Sequence, residues 1–219
     1  MMAISGLFAA EELAAIQDML ADPALYEDGR LTAGWHAREV KHNLQARKGG
    51  LADGVLRKIE AVLLQHELFV AAARPKCLAK LLISRYGPGM TYGSHVDDAL
   101  MGGVRTDLSF TLFLADPASY EGGELVIEDG YQERRVKLEA GQLILYPSTS
   151  LHRVEPVTEG MRLAAVGWVR SHIRQQDQRE ILFDLETSLR QVHEAEGKSP
   201  LFDRLVKTRT NLLRLWAED

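Results

Sequence analysis

His95-Val96-Asp97 places an imidazole and a carboxylate two residues apart, and on an extended chain residues i and i+2 point to the same face. One metal ion can therefore take both side chains. By itself His-x-Asp arises often by chance, so a further ligand is needed. His152 supplies it, following an expected strand, Leu143 to Tyr146, and a Pro147-Ser148 turn. Strands distant in sequence face each other in a small β barrel, which lets His152 reach the same ion. Two histidines and one carboxylate on one side of a metal match the facial triad of non-haem Fe(II) oxygenases, which leaves three positions for exogenous ligands. The remaining histidines, His36, His42, His66, His172 and His193, carry no such argument and are read as structural or solvated.

Arg162 lies ten residues beyond His152 and opens the apolar run Leu163 to Val169. An isolated arginine would be read as a surface ion pair, but this position favours another use. A 2-oxoglutarate that chelates iron through its 2-oxo group and C1 carboxylate extends its C5 carboxylate away from the metal. A planar guanidinium can grip that carboxylate at two points. Trp168 follows six residues later, an even spacing on a strand, so it shares the face of Arg162. It either walls the same pocket or packs in the core.

The elements that must position these residues show in the hydrophobic pattern. Leu13, Ile16 and Leu20 recur at helical spacing in residues 8 to 20, as do Leu51, Val55, Ile59, Val62 and Leu63 in residues 51 to 63. From Leu78 the period shortens, with apolar stretches at Leu81 to Tyr86, Leu108 to Leu114, Glu124 to Ile127, Leu143 to Tyr146 and Leu163 to Val169. Gly87-Pro88-Gly89, Asp116-Pro117, Gly122-Gly123, Asp129-Gly130 and Glu159-Gly160 separate them, the texture of an antiparallel sandwich or barrel. After Ser171, Ile181, Leu185, Leu189 and Val192 and then Leu205, Leu212, Leu215 and Trp216 predict two helices, broken at Gly197-Lys198-Ser199-Pro200. The pattern divides the chain into an N-terminal helical support segment (1–76), a β core (77–172) and a C-terminal helical appendage (173–219).

The composition bounds the function. At 219 residues, with 46% hydrophobic and 26% charged residues, the chain fits one folded domain with appendages. A net charge of -5 argues against a broad nucleic-acid surface, and no apolar run approaches the length of a membrane span. Cys77 is the single cysteine, which excludes an internal disulfide or a multi-thiolate metal site and favours a reducing, cytoplasmic setting. Helices from Gln178 to Trp216 have enough apolar surface to dock on their own core or on a second subunit, and a homodimer is expected.

Arg85-Tyr86-Gly87-Pro88-Gly89-Met90-Thr91-Tyr92-Gly93-Ser94-His95-Val96-Asp97 resembles the iron-binding opening of the prolyl 4-hydroxylase-like oxygenases. Arg105-Thr106-Asp107-Leu108-Ser109, Tyr120-Glu121-Gly122-Gly123-Glu124-Leu125, Leu145-Tyr146-Pro147-Ser148, Leu151-His152 and Asn211-Leu212-Leu213-Arg214-Leu215-Trp216 resemble the bacterial PKHD-type hydroxylases. Val40-Lys41-His42-Asn43-Leu44-Gln45 is similar to the same family. The resemblance implies an α+β fold, a double-stranded β-helix (jelly-roll) core with flanking N-terminal and C-terminal helices. It implies iron on His95, Asp97 and His152, 2-oxoglutarate on Arg162, and a hydroxyl contact from Tyr86 to the co-substrate. Tyr92 would stand nearer the substrate, and L-ascorbate would serve as reductant.

The expected reaction is an Fe(II)- and 2-oxoglutarate-dependent hydroxylation using O2 and releasing succinate and CO2. Its organic substrate, a peptidyl side chain or a small metabolite with a link to iron uptake, is unidentified. The competing reading is a non-catalytic, cupin-like metal or 2-oxoglutarate binding protein or sensor. A metal hydrolase is the third, but no general base is identifiable beside the triad. Fold alone does not choose among these.

Overall fold

Short β-branched and apolar runs punctuated by Gly, Pro and Asp pair into antiparallel sheets in the computed structural model, which describes residues 1–32, 34–35 and 37–218. His36 lies outside the described residues. The chain opens with strand β1 (Met2–Ile4) and helix α1 (Ala10–Met19), followed by β2 (Tyr26–Asp28), β3 (Lys41–His42) and β4 (Leu44–Ala46). Helices α2 (Leu51–Gln65) and α3 (Glu67–Ala73) lead into β5 (Pro75–Tyr86) and β6 (Thr91–His95). A small hairpin of β7 (Leu100–Met101) and β8 (Val104–Arg105) precedes β9 (Leu108–Phe113). Next come β10 (Tyr120–Gly122), β11 (Leu125–Asp129), β12 (Gln132–Val136) and β13 (Leu143–Pro147). The β region closes with β14 (His152–Val154), β15 (Val157–Gly160) and β16 (Arg162–Ser171), and α4 (Gln176–Glu196) and α5 (Pro200–Trp216) end the chain.

Two sheets form the core: a seven-stranded sheet ordered β1-β13-β9-β16-β5-β4-β2 and a five-stranded sheet ordered β12-β11-β14-β6-β3. This is the double-stranded β-helix with flanking helices that the family resemblance implies, in the antiparallel arrangement that the sequence pattern predicts. Because side chains alternate along a strand, the larger sheet has two fates. Ile83, Phe110, Leu112, Leu143, Leu145, Ala165 and Val169 pack against Ile16 of α1, Val55, Ile59 and Leu63 of α2 and Phe69 of α3. Each large side chain so buried contributes roughly 1.5–3 kcal/mol. The alternate residues, Ser84, Tyr86, Ser109, Thr111, Tyr146, Arg162 and Trp168, line the space between the sheets.

Two local features explain what the periodicity misses. Helix α3 has seven residues, too few to show a period, and depends on its ends. The His66 Nδ1 accepts from the Phe69 N–H at 3.4 Å, and Arg74 stops the helix in the left-handed region at φ 47°. Strands β1 to β4 are two or three residues long, again too short to alternate visibly. Residues 41–46 nevertheless bridge the two sheets: Lys41 of β3 pairs with Tyr92 of β6, and Gln45 of β4 pairs with Ser84 of β5.

The break between the last two helices falls where the sequence places it. Gly197 takes φ 64°, and the Ser199 hydroxyl accepts from the Phe202 N–H at 3.2 Å to cap α5. Arg74 and Arg209 both pair with Glu186 of α4, which ties the appendage to the start of β5. Helix α4 buries Arg179, Leu182 and Leu189, whereas α5 buries no residue fully.

Candidate metal centre and co-substrate pocket

His95 ends β6 and His152 begins β14, and these antiparallel neighbours place the two histidines opposite one another. Their ring centroids are 4.3 Å apart. Asp97 follows two residues after His95 and returns to the same side, with its Oδ2 3.8 Å from His152 Nε2. One ligand atom from each of the three lies within 4.8 Å of the others.

Neighbouring groups fix how the three present themselves. The Gly93 carbonyl lies 2.8 Å from His95 Nδ1 and the Ser150 carbonyl 3.1 Å from His152 Nδ1. A carbonyl only accepts, so each Nδ1 carries the hydrogen and Nε2 is the nitrogen that each ring can offer to a metal. The Ser109 hydroxyl donates to Asp97 Oδ2 at 2.6 Å and lies 2.8 Å from Ser148 Oγ. Its single hydrogen goes to the carboxylate, so Ser148 is the donor of the second bond. Two neutral imidazoles and one oriented carboxylate fit a divalent first-row metal, iron included.

Arg162 stands at the start of β16, opposite Tyr86 of β5, and is 1% exposed. Its Nε donates to the Gly123 carbonyl at 2.9 Å, and the guanidinium lies 5.2 Å from the Tyr86 ring and 5.4 Å from the Phe113 ring. Among the described residues no carboxylate pairs with it. A buried cation without an anion is costly, and its free N–H edges are available to a ligand carboxylate.

Tyr86 is buried beside Arg162, and burial raises its pKa while the Arg162 charge lowers it. The phenol therefore stays protonated. Tyr92 stacks on the His95 ring at 3.7 Å between centroids, and burial raises its pKa. Trp168 lines the pocket with its Nε1 buried and without a hydrogen-bond partner. All seven residues singled out in the sequence border one cleft.

Several residues of the cleft escaped the sequence argument. Ser109 and Thr111 had a legible signal, since Leu108-Ser109-Phe110-Thr111-Leu112 alternates on a strand that is buried throughout. Polar side chains at every second position of such a strand must face something polar. Lys41, Asn43 and Gln45 belong to the segment that resembles the family, but the sequence does not show how it is arranged, because only the bridge between the sheets brings them here. Of the other described histidines, His66 caps α3 and His193 lies 5.0 Å from the Phe202 ring.

Comparison with known proteins gives the same outline. Residues 81–170 match the 2OG-Fe(II) oxygenase superfamily and residues 177–218 the PKHD-type hydroxylase C-terminal domain. A PKHD-type hydroxylase of Parvibaculum lavamentivorans is 51% identical over 216 residues, covering 99% of this chain and 98% of the relative. One from Acaryochloris marina is 50% identical over 216 residues, covering 98% of each.

The chain belongs to the PKHD-type hydroxylase family. In this family member the oxygenase match contains His95, Asp97, His152 and Arg162, and the family's C-terminal domain corresponds to α4 and α5. Family membership and the His-Asp-His cluster together support Fe(II) and 2-oxoglutarate as its groups.

Solved structures share the fold at low identity. A Pseudomonas putida prolyl-4-hydroxylase is 21% identical, with TM-score 0.55 over 78% of this chain and 91% of that one. A Trichoplax adhaerens prolyl hydroxylase, in complex with a hypoxia inducible factor peptide fragment, is 14% identical with TM-score 0.57 over 83% and 86%. Among the described residues of this PKHD-type hydroxylase, no helix is long and apolar enough to cross a membrane.

Proposed function

We propose that the protein hydroxylates a carbon of an organic substrate, consuming 2-oxoglutarate and O2 and releasing succinate and CO2. The observation that carries this is Arg162, a buried cation without a carboxylate partner in the cleft that holds the His-Asp-His cluster. Neither a metal hydrolase nor a metal sensor has need of such a group, whereas the distal carboxylate of 2-oxoglutarate does.

Iron, when bound, supplies oxygen activation coupled to decarboxylation of the co-substrate. The protein's own groups do the rest. His95 and His152 present Nε2 because Gly93 and Ser150 hold the opposite nitrogens. Ser109 orients Asp97. Arg162 grips the C5 carboxylate, and the protonated Tyr86 hydroxyl beside it donates a further hydrogen bond. Tyr92, stacked on His95, stiffens that ligand and faces the substrate side with Trp168. Enclosure between the sheets excludes water and confines the oxidant.

Residues 77–172 form the catalytic core of this proposal, 1–76 its support and 173–219 its appendage. L-ascorbate is the proposed reductant, and the cytoplasm the proposed setting. A homodimer through the C-terminal helices is supported by α5, whose apolar residues are incompletely covered in the single chain. The substrate is a peptidyl side chain or a small metabolite. Screening iron-loaded protein with metabolite and peptide panels tests the function: substrate-stimulated succinate formation is expected. A protein that binds iron and 2-oxoglutarate but yields no succinate with or without any addition would contradict it.

A further inference from the structure

The segment that bridges the two sheets brings side chains into the cleft that the reaction above leaves unused. In residues 41–45 buried positions alternate, so Lys41, Asn43 and Gln45 face inward while His42 is exposed. Lys41 is 6% exposed. Its Nζ donates to Thr32 Oγ1 at 3.3 Å and sits 5.1 Å from the centroid of the Tyr92 ring, which itself stacks on His95. Two ammonium hydrogens remain, and among the described residues no carboxylate pairs with this lysine.

A second cation approaches from the larger sheet. Lys80 of β5 is opposite Trp168 of β16, which is opposite Ser109 of β9. Ser109 is the residue that holds Asp97. The row Lys80–Trp168–Ser109 therefore crosses the sheet beneath the metal ligands, six residues along from the Tyr86–Arg162 pair, roughly 20 Å of strand. A 2-oxoglutarate gripped by Arg162 occupies the stretch between that pair and the metal. Away from that pair the cleft offers N–H donors from Lys80 and the unpartnered Nε1 of Trp168, and Lys41 lies within electrostatic reach of both Lys80 and Asp97.

Charge balance gives this a direction. A divalent metal and doubly charged 2-oxoglutarate neutralise each other, which leaves Lys41, Lys80 and Arg162 facing Asp97 and the exposed Asp98. Asp28, the other carboxylate acting on Lys41, is already paired with Arg30. One cation is unmatched in a cleft where Lys41 and Arg162 are themselves buried, and buried charges need counter-ions. We infer that the substrate carries a carboxylate, which Lys41, assisted by Lys80, holds away from the Tyr86–Arg162 pair. The inference rests on the assignment of Arg162 to 2-oxoglutarate. The carboxylate belongs either to a free acid or to an acidic residue in a peptide, and the two bind by the same chemistry.

Calorimetry on full-length protein saturated with Mn(II) and 2-oxoglutarate tests it with two matched probe pairs. One pair is N-acetyl-alanine and its neutral primary amide, N-acetyl-alaninamide; the other is the capped tripeptides Ala-Glu-Ala and Ala-Gln-Ala. At least one acid is expected to bind about tenfold tighter than its amide partner, and the pair that does so identifies the source. Lys41→Met should erase the preference without changing 2-oxoglutarate affinity, and Lys41→Arg should keep it, with thermal melts confirming the fold. Absence of any acid preference, or its survival in Lys41→Met, overturns the proposal. Arg162→Met separates the underlying assignment: lost 2-oxoglutarate binding upholds it, whereas unchanged 2-oxoglutarate affinity rejects it whatever the probes show.

Discussion

Ser109 donates a 2.6 Å hydrogen bond to Asp97 Oδ2, from the neighbouring strand face to the carboxylate of the metal cluster. Without it one carboxylate oxygen would rotate away from the two Nε2 atoms. Ser109→Ala should therefore weaken metal binding about 10- to 100-fold, the usual cost of losing a group that orients a ligand, and leave the fold intact. A competitive metal titration checks this, and an affinity equal to wild type would show that Ser109 has no orienting role.

Arg162→Ala should weaken 2-oxoglutarate by roughly 1.5–3 kcal/mol, since a charge-assisted contact disappears, while metal binding survives. Gly123→Ala offers a milder version. A Cβ there would lie 3.1 Å from Arg162 Cδ and 2.9 Å from Val157 Cγ2 at φ +67°, so the arginine must shift. A loss of about 1 kcal/mol in 2-oxoglutarate binding is expected from an imperfect charged hydrogen bond. Equilibrium dialysis measures both variants, and unchanged affinity in Arg162→Ala would remove the arginine from co-substrate binding.

Burial pushes the Lys41 ammonium down to about 8 from its ordinary 10.5. Between these values the unfolded chain binds the proton and the folded chain does not, so stability rises with pH across that window. The slope is at most about 1.4 kcal/mol per pH unit. Below pH 8 both states are protonated and the burial cost stands in full. Lys41→Met should accordingly be more stable than wild type at pH 7.5, with the gap shrinking as pH approaches 10.5. Urea denaturation at stepped pH checks it; a gap independent of pH would contradict it.

Removal of residues 198–219 deletes α5, which buries no residue fully, and with it the Arg105–Glu218 pair at 2.6 Å. Truncation after Ser171 also strips Leu182 and Leu189 from the core. The shorter deletion should fold and scatter light as a monomer, whereas the longer one should fail to fold. An unchanged particle mass without α5 would sink its role in dimerisation.

Where the sequence was legible, a period or a fixed spacing made it so. His95 and Asp97 share a strand face by parity, Val55, Ile59 and Leu63 repeat on α2, and Gly197 with Ser199 marks a helix break through local backbone chemistry. Lys41 was illegible as a pocket residue because its neighbours, Thr32 and Tyr92, are joined to it only by tertiary pairing across β3. Ser109 lies between these cases. Its alternation with Thr111 was visible, but its target, Asp97, depended on how β9 passes beneath the metal ligands.

The most direct measurement compares wild type with Asp97→Ala for bound Fe(II) and for succinate formed from 2-oxoglutarate in the presence of O2, after matched thermal melts. One Fe(II) per chain and iron-dependent succinate are expected from wild type, and loss of both from Asp97→Ala, because a carboxylate between His95 and His152 completes the metal site. Retention of metal and succinate formation by Asp97→Ala would show that the iron is held elsewhere.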